Sequence, residues 1–212
     1  MKRADFGELA ANRSSLDEFV AYVARVSPAA APELFPRRAD VLAYHLNAYN
    51  ALAMKRVIDE GVTDGLTGFF KRQRFFRLRK ITVGGRSMSL ARYENDVIRP
   101  LGEPRVHFAL NCMTRSCPRL PQEAFDADAL EAQLESAARE FLNDARNVRV
   151  DVAAREVWLS SLFDFYTEDF APDRKRESLI SYVNRYRNEP IEPKLTVKFI
   201  PYDWSISLHD EP

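Results

Sequence analysis

Cysteine is scarce in this sequence, two residues among 212. That excludes a disulfide framework and a four-cysteine zinc site. Histidine is nearly as rare, at three. His107, Cys112 and Cys117 supply at most three ligands without the paired spacing of a metal centre, so neither a metal nor another cofactor is expected. No stretch reaches the roughly 18 consecutive apolar residues of a membrane span, so no transmembrane segment is expected. The opening "MKRADFGELAANRSSLDEF" has no apolar core of a signal peptide and, as written, reads as the start of a soluble cytoplasmic chain. A periplasmic or secreted placement would follow from a mature or late-started form. Net charge is also absent, with Lys+Arg 31 against Asp+Glu 31. A neutral chain is not a dedicated nucleic-acid binder. Internal repeats and low-complexity tracts are missing too, and the length suits one domain over residues 1–212.

Helices and strands are interleaved along the chain. Leu16, Phe19, Val20 and Val23 recur at helical spacing, in an N-terminal helical extension spanning about residues 1–40. "RADVLAYHLNAYNALAMKRVIDEG" places Leu42, Leu46, Tyr49, Ala53 and Val57 on one stripe and stops at Gly61. Residues 62–80 read as a loop. "KITVGGRSMSL" is a hairpin about Gly84-Gly85, and Ser89 caps a short helix that Pro100 ends. "RVHFAL" is expected to be a strand with His107 and Asn111 on one face. Leu130, Leu134, Ala138, Phe141 and Leu142 mark a helix opened by Asp128 and Glu131. "NVRVDVAAREVWLS" reads as a second hairpin, Ser161 opens "SLFDFYTEDF" as a helix, and "RESLISYVNRYR" and "KLTVKFIPYDW" follow as helix and strand. The expectation is an α+β fold: a mixed, largely antiparallel sheet packed with several helices.

A thiol enzyme needs an accessible cysteine, a base and a group that orients the base. Cys117, followed by Pro118, lies after a polar turn where backbone amides opening a short helix or nest would favour its thiolate. His107 precedes it, and Glu94 is the acid expected behind the ring. The competing readings are a small Cys112–Cys117 disulfide ring and a purely structural His and Cys. Asn47 and Asn50, three apart, share one helix side and either reach a site or tie down neighbouring loops. His45 is expected at a surface or boundary, and His209 in the tail is the least promising histidine. "FFKRQRFFRLRK", residues 69–80, interleaves Phe with Lys and Arg. It fits a solvated loop better than a peripheral membrane or partner-binding contact.

Several stretches together resemble the bacterial and plant family named domain of unknown function 547. They are "YHLNAYNALAMKRVID", "ITVGGRSMSLARYENDVIRP", "VHFALNCMTRSCPRL", "LEAQLESAAREFLND", "VWLSSLFDFYTEDF" and "YDWSIS", and they cover about residues 42–207. The resemblance implies that Asn47, Tyr49, Asn50, Glu94, Arg99, His107, Asn111, Cys112 and Cys117 belong to the family pattern. It also implies a distant similarity to papain-like and transglutaminase-like cysteine hydrolases, in a permuted order because His precedes Cys here. The resulting expectation is a thiol-dependent hydrolase or acyltransferase acting on a peptide or amide-containing substrate. Cys117 would be nucleophile, His107 base and Glu94 orienter, with Asn111 or a loop amide stabilising the oxyanion. Asn47, Asn50, Arg99, Cys112 and Ser116 would support the site or the substrate. The rival is a non-enzymatic binding domain with a Cys112–Cys117 disulfide and the basic aromatic segment as its partner surface.

Overall fold

The computed structural model describes residues 13–62 and 65–206. The first helices are α1 (Ser14–Arg25) and α2 (Arg38–Asp59). In α2 a capping box joins Arg37 and Asp40, and the Arg37 amide donates to Asp40 Oδ2 at 2.9 Å. The hairpin β1 (Lys80–Val83) and β2 (Arg86–Ser89) turns through Gly84 and Gly85, both at positive φ. Glycine is required at position 84 for a second reason. The hairpin tip docks on the end of α1 and the turn after it so closely that a Cβ there would stand 2.0 Å from Ser27 Oγ.

Residues 62–80 are not a plain loop. They contain α3 (Phe69–Gln73), which runs on as a π-turn over Arg74–Leu78. The buried Phe75 ring, together with Arg56 of α2 donating to the carbonyls of Phe75 and Lys80, winds and anchors this segment. Ser89 does cap α4 (Leu90–Tyr93), which also continues as a π-turn, Glu94–Ile98.

"RVHFAL" is not a strand. Pro104–Phe108 forms a 3-10 helix with Pro104 in its first turn and the Glu103 side chain accepting from the Arg105 amide. That local cap satisfies amides that a strand would have presented to a neighbour. Helix α5 (Leu130–Asn143) starts without the expected cap: Asp128 pairs with Arg37 and Glu131 with Arg105 instead.

The second hairpin pairs β3 (Val148–Asp151) with β4 (Glu156–Ser160). The predicted helix after Ser161 is broken at Tyr166 into α6 (Leu162–Phe165) and α7 (Thr167–Phe170), and α8 (Arg176–Val183) follows. Strand β5 (Thr196–Ile200) then lies parallel to β4, with Val157 opposite Val197. The fold is α+β, but its strands form a two-stranded and a three-stranded sheet rather than one largely antiparallel sheet.

Two hydrophobic clusters result. One gathers α1, α2, the first hairpin and α4; the other gathers the end of α5, the three-stranded sheet and α6 to α8. His107 lies between Val106 of the first cluster and Phe108 of the second, so the 3-10 helix is their seam. Among the described residues no helix is long and apolar enough to cross a membrane. His209 lies outside the described residues.

Candidate active site

A cavity of about 260 Å³ opens at this seam and is lined by Tyr49, Glu94, His107, Cys112, Cys117 and Tyr202, among others. The expected trio of Cys117, His107 and Glu94 thus shares one cavity, but its internal contacts are not those expected.

The cysteine loop is tied into shape by asparagines. Asn50 donates to the Ala109 carbonyl at 3.0 Å and accepts from the Asn111 amide at 2.8 Å. Asn47 likewise exchanges two bonds with the backbone of Phe125, at 2.8 and 2.9 Å. Asn111 accepts from the Met113 amide and donates to the Pro118 carbonyl, both at 2.5 Å. These three amides brace loops. One of the two N–H groups of the Asn111 side-chain amide is taken by Pro118. The Cys117 amide is also used, donating to Thr114 at 3.1 Å, and the chain after Cys117 is irregular rather than helical. Met113 sits in the left-handed region at φ 68, a conformation costly for a side-chain-bearing residue. Ser116 Oγ accepts from the Asp203 amide at 2.8 Å, and Thr114 bridges to Ile206, which fastens the loop to the C-terminal segment.

Both cysteines are free thiols. Cys117 Sγ accepts from the Cys112 amide at 3.0 Å and lies 3.4 Å from Thr114 Oγ1 and 3.2 Å from Tyr202 Oη. Burial opposes the thiolate, but hydrogen bonds from the Cys112 thiol, Thr114, Tyr202 and the Cys112 amide outweigh it, so Cys117 is held below the ordinary cysteine value. Cys112 goes the other way. Its hydrogen bond to Cys117 and its burial hold the thiol well above its ordinary value. The loop therefore singles out Cys117 as the thiolate.

The imidazole has different neighbours. His107 Nε2 lies 2.7 Å from Asp169 Oδ2, and its ring stacks on Tyr166 with centroids 4.0 Å apart. Arg99 grips Asp169 with two bonds, 2.7 and 2.9 Å, and donates to Asn95 at 2.6 Å. Burial works against Asp169, but the bonds from His107 and Arg99 prevail and hold its carboxyl well below the usual range. A carboxylate on Nε2 selects the Nε2–H tautomer and leaves Nδ1 as the basic nitrogen. Asp169, rather than Glu94, is the carboxylate bonded to the imidazole. Glu94 accepts from Tyr49 Oη at 3.0 Å and bonds the Tyr166 hydroxyl, so it reaches His107 only through the ring stacked on it. Arg99 supports Asp169 and does not line the cavity.

The cysteine loop does not close onto the imidazole: among the described residues no hydrogen bond joins Cys117 to His107. Cys117 and Pro118 also line a second cavity of about 280 Å³, on whose wall Arg119, Glu140 and Phe141 lie. Cys117 thus borders both cavities. His45, expected near the surface, is buried, with Nδ1 2.7 Å from Tyr93 Oη. Among the described residues no group of three or more His, Cys, Asp and Glu side chains is arranged to hold a metal ion.

A family model described as "Protein of unknown function, DUF547" matches residues 35–142, half of the chain. The chain belongs to this family. The DUF547 match contains Glu94, His107 and both cysteines, whereas Tyr166, Asp169 and Tyr202 lie beyond it. No curated protein and no solved structure matches the chain. Sequence reasoning passed over Asp169, Tyr166, Thr114 and Tyr202. The one available signal was a Tyr and an Asp three residues apart in the otherwise Phe-rich "FDFYTEDF".

Proposed function

We propose that this DUF547 chain is a thiol-dependent hydrolase or acyltransferase acting on an amide or peptide bond, with chemistry like that of papain-like cysteine hydrolases. The observation that carries the reading is the set of donors converging on Cys117 Sγ inside a cavity that also holds the Asp169-oriented His107.

In this reading Cys117 attacks the carbonyl carbon of the substrate, forming a C–S bond and an oxyanion. In the same reading Tyr202 Oη, 3.2 Å from the sulfur, donates to that oxyanion in place of the Cys117 amide, which is bonded to Thr114. His107, protonated and paired with Asp169, gives its proton to the leaving nitrogen as the C–N bond breaks. The resulting thioester is attacked by water, or by an acceptor nucleophile, whose proton returns to His107. The two cavities that Cys117 borders give room for the acyl and amine portions of one substrate.

The test is iodoacetamide labelling with peptide mapping, run beside turnover of a panel of fluorogenic amides. Fast alkylation of Cys117 and turnover abolished in Cys117→Ala are expected. Preferential labelling of Cys112, or turnover that survives Cys117→Ala, would sink the proposal.

A further inference from the structure

We infer that α3 and its π-turn form a docking surface for an anionic lipid membrane beside the cavity. This inference stands apart from the thiol chemistry. Phe69, Phe70 and Leu78 are large apolar side chains left 61%, 85% and 69% exposed. Along the helix and its π-turn Phe69, Phe70, Lys71, Arg74, Arg77 and Leu78 are exposed; all but Phe69 are spaced to share one face, while Phe75 is buried and Arg72, Gln73 and Phe76 are half-buried.

The outer face therefore carries apolar residues at both ends and cations between them, the composition of a segment lying in a membrane interface. Residues 69–80 contain six Lys or Arg and no acid. Arg74 and Arg79 share Glu60, at 3.5 and 3.3 Å, while Lys71, Arg77 and Lys80 make no ion pair among the described residues. Uncompensated cations beside exposed Phe complement anionic headgroups over acyl chains, and this charge pattern selects a lipid surface as the occupant. The face is also rigidly mounted, through Phe75 and the Arg56 bonds to the Phe75 and Lys80 carbonyls. Arg72, Gln73 and Phe76 on its inner side, together with Arg77, form part of the cavity wall, so docking would bring the cavity against the lipid surface.

The experiment is co-sedimentation of the full chain with phosphatidylcholine vesicles, with and without phosphatidylglycerol, at low and high salt. Binding to the anionic vesicles about tenfold or more above the neutral ones, weakened by salt, is expected. Phe69→Ser/Phe70→Ser and Lys71→Glu/Arg77→Glu should each reduce it about tenfold or more. All four residues are exposed, so the variants should fold, and Phe70→Ser alone serves if a double variant does not. Equal binding to both vesicle types overturns the proposal. So does full binding by the Phe variant with loss on charge reversal, which would mark a site for a nucleic acid or acidic protein.

Discussion

The thiol wall of the cavity is built almost entirely from one short loop, whereas the imidazole wall is assembled from distant parts of the chain. Asn111, Cys112, Thr114 and Cys117 shape the first within seven residues, with Tyr202 added from the C-terminal segment. In the second, His107 meets a carboxylate 62 residues away and Arg99 meets it across 70. The walls also stabilise charge differently. Cys117 is served by neutral donors, an amide, hydroxyls and a thiol, whereas Asp169 is held by a bidentate guanidinium and an imidazole. In the proposed reaction one wall prepares an anion for attack and the other fixes a proton carrier. If that division is right, breaking either wall should stop turnover, but only breaking the thiol wall should change the reactivity of Cys117.

The largest effect is expected at the sulfur. Cys117→Ala should lower turnover about 10³-fold or more, while Cys112→Ala, which keeps the backbone amide that donates to Cys117, should cost about tenfold. Reversal of that order in kcat/KM would reassign the nucleophile and undo the asymmetry between the two thiols. On the other wall, Asp169→Asn should lower kcat about 10²- to 10⁴-fold by releasing the imidazole tautomer, with the alkylation rate of Cys117 nearly unchanged. Glu94→Gln should cost about tenfold, because Glu94 acts through Tyr166. If Glu94→Gln is the more damaging, Glu94 and not Asp169 is the true partner of His107. A thermal melt of each variant separates these losses from unfolding.

The same contrast explains how much could be read from the sequence. The α2 stripe, both hairpins and the Ser89 cap rest on local spacing and turn chemistry, and all form. "RVHFAL" has strand composition, but Glu103 capping a proline-led turn outweighed it, and no alternation rule weighs such a side-chain bond. Cys112, Cys117, His107 and Glu94 were legible as chemical types within 24 residues of one another. Their assignment failed at Glu94 because the acid that meets His107 arrives by a tertiary contact from α7, and nothing in "FDFYTEDF" marks Asp169 as inward-facing. Asn47 and Asn50 were legible as a polar pair on one helix side, and of the two roles expected for them the structure shows loop bracing.

A smaller effect separates the site histidine from the sealed one. Burial lowers His45 from its ordinary value near 6.5 to about 4. Below pH 6.5 the unfolded chain binds the proton and the folded chain resists it, so stability should fall as the pH drops from about 6.5 to 4, by about 3 kcal/mol. Asp169 has the opposite charge type. Its depressed carboxyl contributes stability that is complete above the ordinary aspartate range and is lost only as the pH falls through the lower folded value. Urea midpoints against pH should therefore show two declines, the upper one absent in His45→Gln and the lower one reduced in Asp169→Asn. A single decline unaffected by His45→Gln would mean that His45 is not sealed as described.

The smallest expected effect on the sulfur's own reactivity lies where the walls join. Tyr202 belongs to the C-terminal segment, outside the DUF547 match, yet its hydroxyl lies 3.2 Å from the Cys117 sulfur. A hydrogen bond to the charged form lowers a pKa, so Tyr202→Phe should move the alkylation midpoint of Cys117 upward and slow labelling at neutral pH by about three- to tenfold. The thiolate would still be favoured by the Cys112 amide and Thr114, so labelling should remain faster than that of an ordinary cysteine. If Tyr202 is also the oxyanion donor, kcat must fall further than the thiolate fraction does, by about another tenfold or more, even at a pH where Cys117 is fully ionised. A loss that disappears at high pH would confine Tyr202 to tuning the sulfur and leave the oxyanion to another donor.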